Sequence, residues 1–295
     1  MNYVDQIRTK HLKHFCDLKS VNAAASTWSK YIEDLIGSDS AKKPNNFLDL
    51  GDKLRSIFTT TGAAGREQKS LAAGGLCWEF LVCWYLNLGF WGTNTIVLKN
   101  TRSAVPQALR DALTLTINNV KANTETDLLL VHFPQMSRLN APTFDELNNK
   151  TSEFLDSVEV CIIQCKTNWN DNSQIPMLWN AVYEAGKSGV SNLHVGTNGV
   201  SLNELESFRY AFVTAPTNRT PYKSESVIVQ RVSTLSGRNY WGLPTQSGVA
   251  LSLKEFFSLY SSAFEGAGGP LRNLKSNFDS ASLSFLNAAQ MRFDD

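Results

Sequence analysis

The stretch VEVCIIQCK, residues Val158 to Lys166, is an apolar run that ends abruptly in an amide and an ammonium. Most of it is apolar and rich in β-branched side chains, and polar turns bound it, which is typical of a buried strand. Gln164 and Lys166 are two residues apart, so on a strand both side chains point to one face while Cys165 points to the other. The stretch predicts a central strand whose polar end is either a solvated terminus or part of an active site.

Composition around this strand is that of an ordinary globular chain. The 295 residues are 42% hydrophobic and 19% charged, with a formal net charge of +1, which is enough for one large core. This charge indicates no polyanion partner, although a local basic groove would be hidden in such a total. The five cysteines form no CxxC pair, so we expect reduced core residues and neither disulfides nor a zinc site. The chain opens without an apolar signal region and its longest apolar run is too short for a bilayer, so we expect a cytoplasmic protein.

Helical patterns precede and follow the strand. Residues 1 to 37 predict helices that end at a glycine, and the segment 38 to 46 predicts an exposed linker. Residues 70 to 90 are apolar on nearly every side and predict a core helix. Residues 175 to 187 predict a helix after the strand, and the capping box Ser252 to Glu255 opens another. The tail after that helix is expected to be loosely packed at best.

Four further segments predict strands, namely Thr95–Leu98, Asp127–Phe133, Phe208–Thr214 and Val227–Val232. Together with the helices they give the order helix, strand, strand, strand, helix, strand through the middle of the chain. This order predicts an α/β fold with a central mixed β-sheet flanked by helices.

The same patterns suggest a division into three segments. Residues 1–45 form an N-terminal helical segment and linker, residues 46–235 the core, and residues 236–295 a C-terminal extension of loop and helix. The extension is either separate or part of the same domain.

Four polar residues carry the candidate chemistry. Asp127 opens one predicted strand, and Gln164 and Lys166 close another. Glu79 is the one charged residue in the apolar run from 76 to 86. An unpaired buried carboxylate costs several kcal/mol, so Glu79 needs a partner, a proton or a metal; a partly exposed side chain or a structural ion pair is the alternative. If the strand after Asp127 pairs antiparallel with Val158–Lys166, a carboxylate, an amide and an ammonium meet at one sheet edge.

Such a group of side chains suits phosphodiester hydrolysis. A hard cation such as Mg²⁺ takes oxygen ligands and keeps several waters. It lowers the pKa of a bound water and stabilises charge on a phosphate oxygen, while a neighbouring lysine can orient the attacking water.

Asp127 together with Gln164-Cys165-Lys166 resembles the motif of the PD-(D/E)xK nuclease superfamily, the fold of most type II restriction endonucleases. In that superfamily an Asp begins one strand and (D/E)-x-K ends the next, and a glutamate on a leading helix is common, as Glu79 is here. The resemblance implies a restriction-endonuclease-like core over about residues 70 to 215. It implies catalytic roles for Asp127, Gln164, Lys166 and Glu79, and Mg²⁺ bound by Asp127, Gln164 and the carbonyl of Cys165.

The resemblance also implies partners. The substrate would be double-stranded DNA, and cutting both strands needs two sites, so a homodimer or paired subunits is expected. A cognate methyltransferase and no membrane association are expected as well. Candidate DNA-binding residues are Asn168 and Asn170 after the strand, Arg209, and Arg238 with Asn239 in the stretch 236–242, where Arg and Asn are the donors that read guanine and adenine. The alternative for that stretch is a hairpin with a packed Tyr-Trp pair.

Two departures from the superfamily motif keep other functions open. Gln164 stands where an acidic residue is usual, as in the Q-x-K variant of methyl-directed and some other restriction enzymes. Asp127 and Gln164 are 37 positions apart, which requires an insertion at about Pro134 to Asp156. The alternatives are a non-catalytic DNA-binding or assembly protein on the same fold, and a nuclease for repair or for modified DNA.

Overall fold

Six strands form a mixed central sheet, and helices pack on it. The computed structural model describes residues 3–39, 41–61, 68–118, 120–122, 126–133, 144–168, 193–217, 221–263 and 269–279. The strands in chain order are β1 (Thr95–Lys99), β2 (Leu115–Ile117), β3 (Val120–Ala122), β4 (Leu128–His132), β5 (Glu159–Lys166), β6 (Leu193–Val195), β7 (Ser207–Thr214), β8 (Asn239–Trp241) and β9 (Leu251–Ser252).

The central sheet has the order β1-β4-β5-β7-β8-β9. β4 is antiparallel to both β1 and β5, whereas β5, β7, β8 and β9 run parallel to one another. A smaller sheet has the order β3-β2-β6. β1 and β5 therefore run in the same direction, on either side of β4.

Helices cover both faces of the central sheet. They are α1 (Tyr3–Cys16), α2 (Lys19–Ile36), α3 (Lys43–Asp49), α4 (Leu54–Thr59), α5 (Gln68–Gly89), α6 (Gln107–Ala112), α7 (Phe144–Thr151), α8 (Val227–Ser233) and α9 (Gly269–Asp279). The 3₁₀ helices are Leu50–Asp52, Leu155–Ser157, Leu202–Glu204 and Leu253–Ala263.

The sheet divides the apolar side chains into two cores. Cys161 and Ile163 of β5 face the core around α1, α2 and α5, whereas Val160 and Ile162 face a second core that includes α8. Because both faces of β5 are covered, its sequence is a continuous apolar run rather than an alternation of apolar and polar residues. Residues 76–86 of α5 are apolar on nearly every side for a similar reason, since helices and the sheet enclose them.

β1 is an edge strand, and side chains form hydrogen bonds with the backbone groups on its outer side. Asn87 of α5 donates to the carbonyl of Val97 (2.7 Å) and accepts from its N–H (2.9 Å). The N–H of Lys99 donates to Nε2 of His11 (2.9 Å), and Arg8 donates to the carbonyl of the first strand residue. Edge strands expose unpaired backbone groups that attract other chains, and here α1 and α5 satisfy them internally.

The main sequence predictions are confirmed. The N-terminal helices end at Gly37, which has a φ of 72° and donates its N–H to the carbonyl of Glu33. The core helix forms as α5, and β1, β4, β5 and β7 lie where strands were predicted. The antiparallel pairing of β4 with β5 also forms, with Leu128 opposite Ile163.

Two segments have a different structure from the one predicted. The predicted linker 38–46 contains the start of α3, because Pro44 occupies its first turn and Phe47 is fully buried. The predicted strand Val227–Val232 is helix α8. Its β-branched run favours a strand, but Val229 and Val232, three residues apart, pack together in a core on one helix face.

The C-terminal extension is more ordered than predicted. β8 and β9 belong to the central sheet. The capping box is present, with the N–H of Ser252 donating to Glu255 (2.9 Å), although the helix that it opens is 3₁₀. The described part of the tail, Gly269–Asp279, forms α9, in which Leu274 is fully buried and Asn277 donates to the carbonyl of Trp91. The predicted helix 175–187 lies outside the described residues.

All five cysteines are buried and free. No helix in the described part of the chain is long and apolar enough to cross a membrane.

Candidate active site at the carboxyl edge of the sheet

The candidate site lies where β1 and β5 end and β4 begins. Lys99 is the last residue of β1 and Lys166 the last of β5. Asp127 immediately precedes β4, and its carbonyl accepts from the N–H of Asn100 just after β1 (3.1 Å). The sheet topology therefore brings an acid from one strand start and an ammonium from each of two strand ends to the same edge.

Asp127 is hydrogen-bonded to the QxK stretch. Its Oδ2 accepts from the backbone N–H of Cys165 (2.7 Å) and from Nε2 of Gln164 (2.8 Å). Among the described residues no hydrogen bond reaches its Oδ1. One carboxylate oxygen is thus held in place while the other remains available.

Gln164 is fully buried, and both ends of its amide are engaged. While Nε2 donates to Asp127, Oε1 accepts from the hydroxyl of Tyr210 on β7 (2.8 Å). The nitrogen rather than the oxygen of the amide therefore faces the carboxylate, so Gln164 would have to reverse its amide to serve as a metal ligand. Sequence reasoning missed Tyr210, which lies 46 positions from Gln164 inside an apolar strand.

Glu79 and Lys99 form an ion pair beside Asp127. The side chain of Glu79 is 15% exposed and that of Lys99 is 24% exposed, and Nζ of Lys99 lies 5.1 Å from the ring centre of Phe15. A structural ion pair was the alternative role that the sequence allowed for Glu79, and the structure contains one. Sequence reasoning missed Lys99, although TIVLK ends in a lysine just as IIQCK does.

The surroundings of Asp127 raise its pKa to about 6. Burial is the main cause and the negative charge of Glu79 adds to it, while the N–H of Cys165, Lys166 and Lys99 lower the pKa in part. Burial also raises the pKa of the Cys165 thiol well above its usual value. The thiol is therefore no nucleophile, and a carboxylate in such surroundings favours the gain of a proton or a cation.

The oxygen donors at the edge fit a hard cation. Oδ1 of Asp127 accepts no hydrogen bond within the described ranges. The carbonyl of Cys165 points to the same side as its N–H because both groups of a strand residue face one neighbour. Carboxylate and carbonyl oxygens are ligands that Mg²⁺ accepts alongside water. In the described ranges, no group of three or more His, Cys, Asp or Glu side chains is placed to hold a metal ion.

The residues predicted to bind DNA are scattered. Asn168 is partly buried and lies two residues past β5, at the candidate edge, whereas Asn170 lies outside the described residues. Arg209 points to the sheet face opposite that of its neighbour Tyr210, and its guanidinium donates to the carbonyl of Leu259 (3.3 Å). The structure therefore does not bring Arg209 to the candidate site.

The predicted position of Asn239 in a loop is corrected. This residue belongs to β8 and not to a flexible loop, is 3% exposed, and donates its amide to the carbonyl of Val249 (2.7 Å). Tyr240 and Trp241 are both buried, as the packed alternative proposed, although β8 is a parallel strand and not part of a hairpin. Arg238 is exposed with a φ of 68°, so its role in binding DNA stays a prediction.

A basic side chain that sequence reasoning missed lies at the same edge. Nε of Arg55, on α4, donates to the carbonyl of Pro216 (2.6 Å) just beyond β7. The chain there runs beside the end of β5, since Thr217 donates to the carbonyl of Thr167 (2.8 Å). Arg55 offered no sequence signal, because its segment contains no motif.

No protein-family model matches this chain, and a search of curated proteins finds no match either. Its function has to be argued from the geometry of the site.

Proposed function

We propose that this chain is a Mg²⁺-dependent endonuclease with a restriction-endonuclease-like core, which hydrolyses phosphodiester bonds in duplex DNA as a type II restriction enzyme. One observation carries the proposal: Oδ2 of Asp127 accepts from both Nε2 of Gln164 and the N–H of Cys165. These contacts join the two halves of the D…QxK motif, which are 37 positions apart in the chain. The mixed sheet with its antiparallel β4–β5 pair supports the same proposal.

Mg²⁺ would be held by Oδ1 of Asp127, the carbonyl of Cys165 and, after reversal of its amide, Gln164. When bound, the ion supplies a more acidic water and stabilises negative charge on the phosphate. Asp127 is suited to this role because one of its oxygens is fixed by two donors while the other has none among the described residues.

Lys166 orients the attacking water in this proposal. Its ammonium donates to the water oxygen, which attacks phosphorus while one P–O ester bond breaks. The water loses a proton to solvent and the leaving oxygen gains one. Glu79 acts indirectly in this proposal. Its ion pair with Lys99 limits the net negative charge beside Asp127.

Several partners follow from the proposed reaction. Cleavage of both strands needs two active sites, so the enzyme acts as a homodimer or as paired subunits. A restriction enzyme in the cytoplasm also needs a cognate methyltransferase that protects host DNA.

Plasmid cleavage in the presence of Mg²⁺ tests the proposal. Asp127→Asn keeps an oxygen that can accept the two hydrogen bonds but removes the charge, and Lys166→Ala removes the ammonium. Each should lower the cleavage rate at least about a hundredfold, which corresponds to about 3 kcal/mol in the barrier. Asp145→Asn and Lys150→Ala on α7 are the matched controls. The proposal is wrong if both site variants cut as well as the wild type.

A second candidate is a non-catalytic DNA-binding or assembly protein on the same fold. The observation in its favour is that Gln164 replaces an acid and satisfies both Asp127 and Tyr210 without a cation. Salt-dependent DNA binding with no cleavage in Mg²⁺ or Mn²⁺ would favour this candidate. If cleavage occurs, a comparison of methylated with unmethylated plasmid separates a nuclease for modified DNA from one for an unmodified site.

A further inference from the structure

Tyr210, Gln164 and Asp127 form a chain of hydrogen bonds across three strands of the sheet. The hydroxyl of Tyr210 donates to Oε1 of Gln164 (2.8 Å), and Nε2 of Gln164 donates to Oδ2 of Asp127 (2.8 Å). Tyr210 and Gln164 are both fully buried, so water does not compete for these bonds. The orientation of the Gln164 amide is therefore set by its two protein neighbours.

The orientation in the structure, with Nε2 of Gln164 towards Asp127, suits a carboxylate that binds no cation. An ionised carboxylate favours N–H donors, and the amide nitrogen supplies one. The same orientation opposes a cation, because an amide NH₂ group has no lone pair to offer and carries positive partial charge. A divalent ion at Asp127 would favour the amide oxygen in that position.

We propose that Tyr210 is a positioning residue that allows the amide of Gln164 to reverse when a divalent cation binds at Asp127. This inference rests on the proposed cation site. A tyrosine hydroxyl can both donate and accept a hydrogen bond. It donates to Oε1 in the described orientation and accepts from Nε2 after reversal, so neither orientation leaves that end of the buried amide without a partner.

Asp127 remains anchored during the reversal. The N–H of Cys165 still donates to Oδ2 when Nε2 turns away, so the carboxylate keeps one of its two donors. The QxK variant would thus use a neutral, reversible ligand where most members of the superfamily that it resembles have a fixed negative charge. A side chain at position 210 with no hydrogen-bonding group, such as phenylalanine, would leave one end of the buried amide without its partner.

Binding of Mn²⁺ without DNA, followed by electron paramagnetic resonance, tests the reversal. The comparison is between the wild type and Gln164→Met, both of which keep Tyr210. Reversal predicts that Gln164→Met binds Mn²⁺ at least about tenfold more weakly, because an oxygen ligand is lost. A fixed amide predicts equal or tighter binding by Gln164→Met, because an NH₂ group that opposes the cation is removed, and this result would overturn the inference.

A second measurement tests the role of Tyr210 directly. In protein labelled with ¹⁵N-glutamine, the side-chain NH₂ signals of Gln164 are those that Gln164→Met removes. Saturation with Mg²⁺ should shift them, and Tyr210→Phe should perturb them more with Mg²⁺ than without, since only the reversed NH₂ group contacts Tyr210. Equal perturbation in both states would contradict the reversal.

Asp127→Asn separates failure of the inference from failure of the proposed function. If the wild type binds Mn²⁺ and Asp127→Asn weakens binding, the cation site stands whatever the glutamine results show. If no Mn²⁺ binding depends on Asp127, the cation site and the reversal both fail.

Discussion

Single residues decide how firmly the candidate edge is held, and His11 is the clearest case. Its Nε2 accepts from the N–H of Lys99, which requires a neutral ring nitrogen. Burial lowers the pKa of His11 to about 4 from 6.5, with His14 and Lys99 adding to the effect. The backbone of a residue at the proposed active site is thus held by a group that can titrate.

The pKa of His11 predicts a specific loss of stability in acid. Because the unfolded chain binds the proton near pH 6.5 and the folded chain only near pH 4, the contribution is complete above pH 6.5 and is lost as pH falls towards 4. The total loss is at most about 3 kcal/mol. His11→Gln cannot titrate, so urea unfolding at pH 7, 5.5 and 4.5 should show a smaller decline for this variant.

The raised pKa of Asp127 changes stability with pH in the opposite direction from that of His11. The contribution of Asp127 to the free energy of unfolding is complete below pH 3.8 and is lost as pH rises through about 6. Asp127 is present in the wild type and in His11→Gln. The difference between their declines in unfolding free energy with pH therefore reports on His11 alone. His194→Gln, an exposed change on β6, should retain the wild-type decline. Parallel declines in wild type and His11→Gln would show that His11 is not the titrating group.

At the scale of elements, the outer edge of β1 depends on the side chain of Asn87. Its amide pairs with both backbone groups of Val97 and also accepts from Nε of Arg8 (3.3 Å). Asn87→Leu keeps the size of the side chain but leaves the buried N–H of Val97 unpaired and its C=O with only the weak thiol donor of Cys83 (3.4 Å). An unpaired buried group costs about 1–3 kcal/mol, and Nε of Arg8 also loses this acceptor, so we expect the free energy of unfolding to fall by roughly 3 kcal/mol.

Urea unfolding of Asn87→Leu beside Asn22→Leu checks this expectation. Asn22 is exposed on α2, so its replacement should change stability by no more than about 0.5 kcal/mol. Light scattering should also show more association of Asn87→Leu, because an unpaired strand edge attracts other chains. Equal stability of the two variants would mean that Asn87 does not hold the edge of β1.

The elements that the sequence predicts well are those whose pattern reflects local burial. α5 and β5 are continuous apolar runs with no competing structure, so their type and place follow from the residues themselves. α8 is different, because the propensity of its β-branched residues favours a strand while the packing of Val229 and Val232 favours a helix. The packing belongs to the tertiary structure and could not be predicted from six residues.

The residues of the candidate site divide in the same way, into those with a local sequence signal and those whose role depends on tertiary contacts. Asp127, Gln164 and Lys166 are predictable because each ends or begins a recognisable strand. Tyr210 is not, because its role arises from a contact across the sheet with a residue that is distant in the chain. Lys99 also ends a recognisable strand, but its pairing with Glu79 of α5 arises only in the tertiary structure. Sequence thus predicts the acidic and basic groups of the site, while the geometry adds the groups that orient and neutralise them.

At the scale of the whole molecule, the near-neutral total charge conceals a group of basic side chains at the carboxyl edge. Lys99, Lys166 and Arg55 lie where β1, β5 and β7 end, together with two acids, Asp127 and Glu79, of which Glu79 pairs with Lys99. Most of the affinity of a DNA-binding protein comes from contacts of this kind with phosphates. If DNA binds across the carboxyl edge, Arg55 is suited to a phosphate because Pro216 fixes its Nε, and among the described residues no hydrogen bond engages its two other guanidinium nitrogens.

Arg55→Gln should therefore weaken DNA binding without removing any group that the proposed chemistry uses. The loss of one phosphate contact should reduce the slope of log K against log salt by about 0.9, and the effect should be similar for all sequences. Fluorescence anisotropy with labelled duplexes in Ca²⁺ measures this slope. Lys150→Gln, which removes one positive charge on α7, should leave the slope unchanged. If both variants lower the affinity equally, DNA responds to the total charge of the molecule and does not bind at the carboxyl edge.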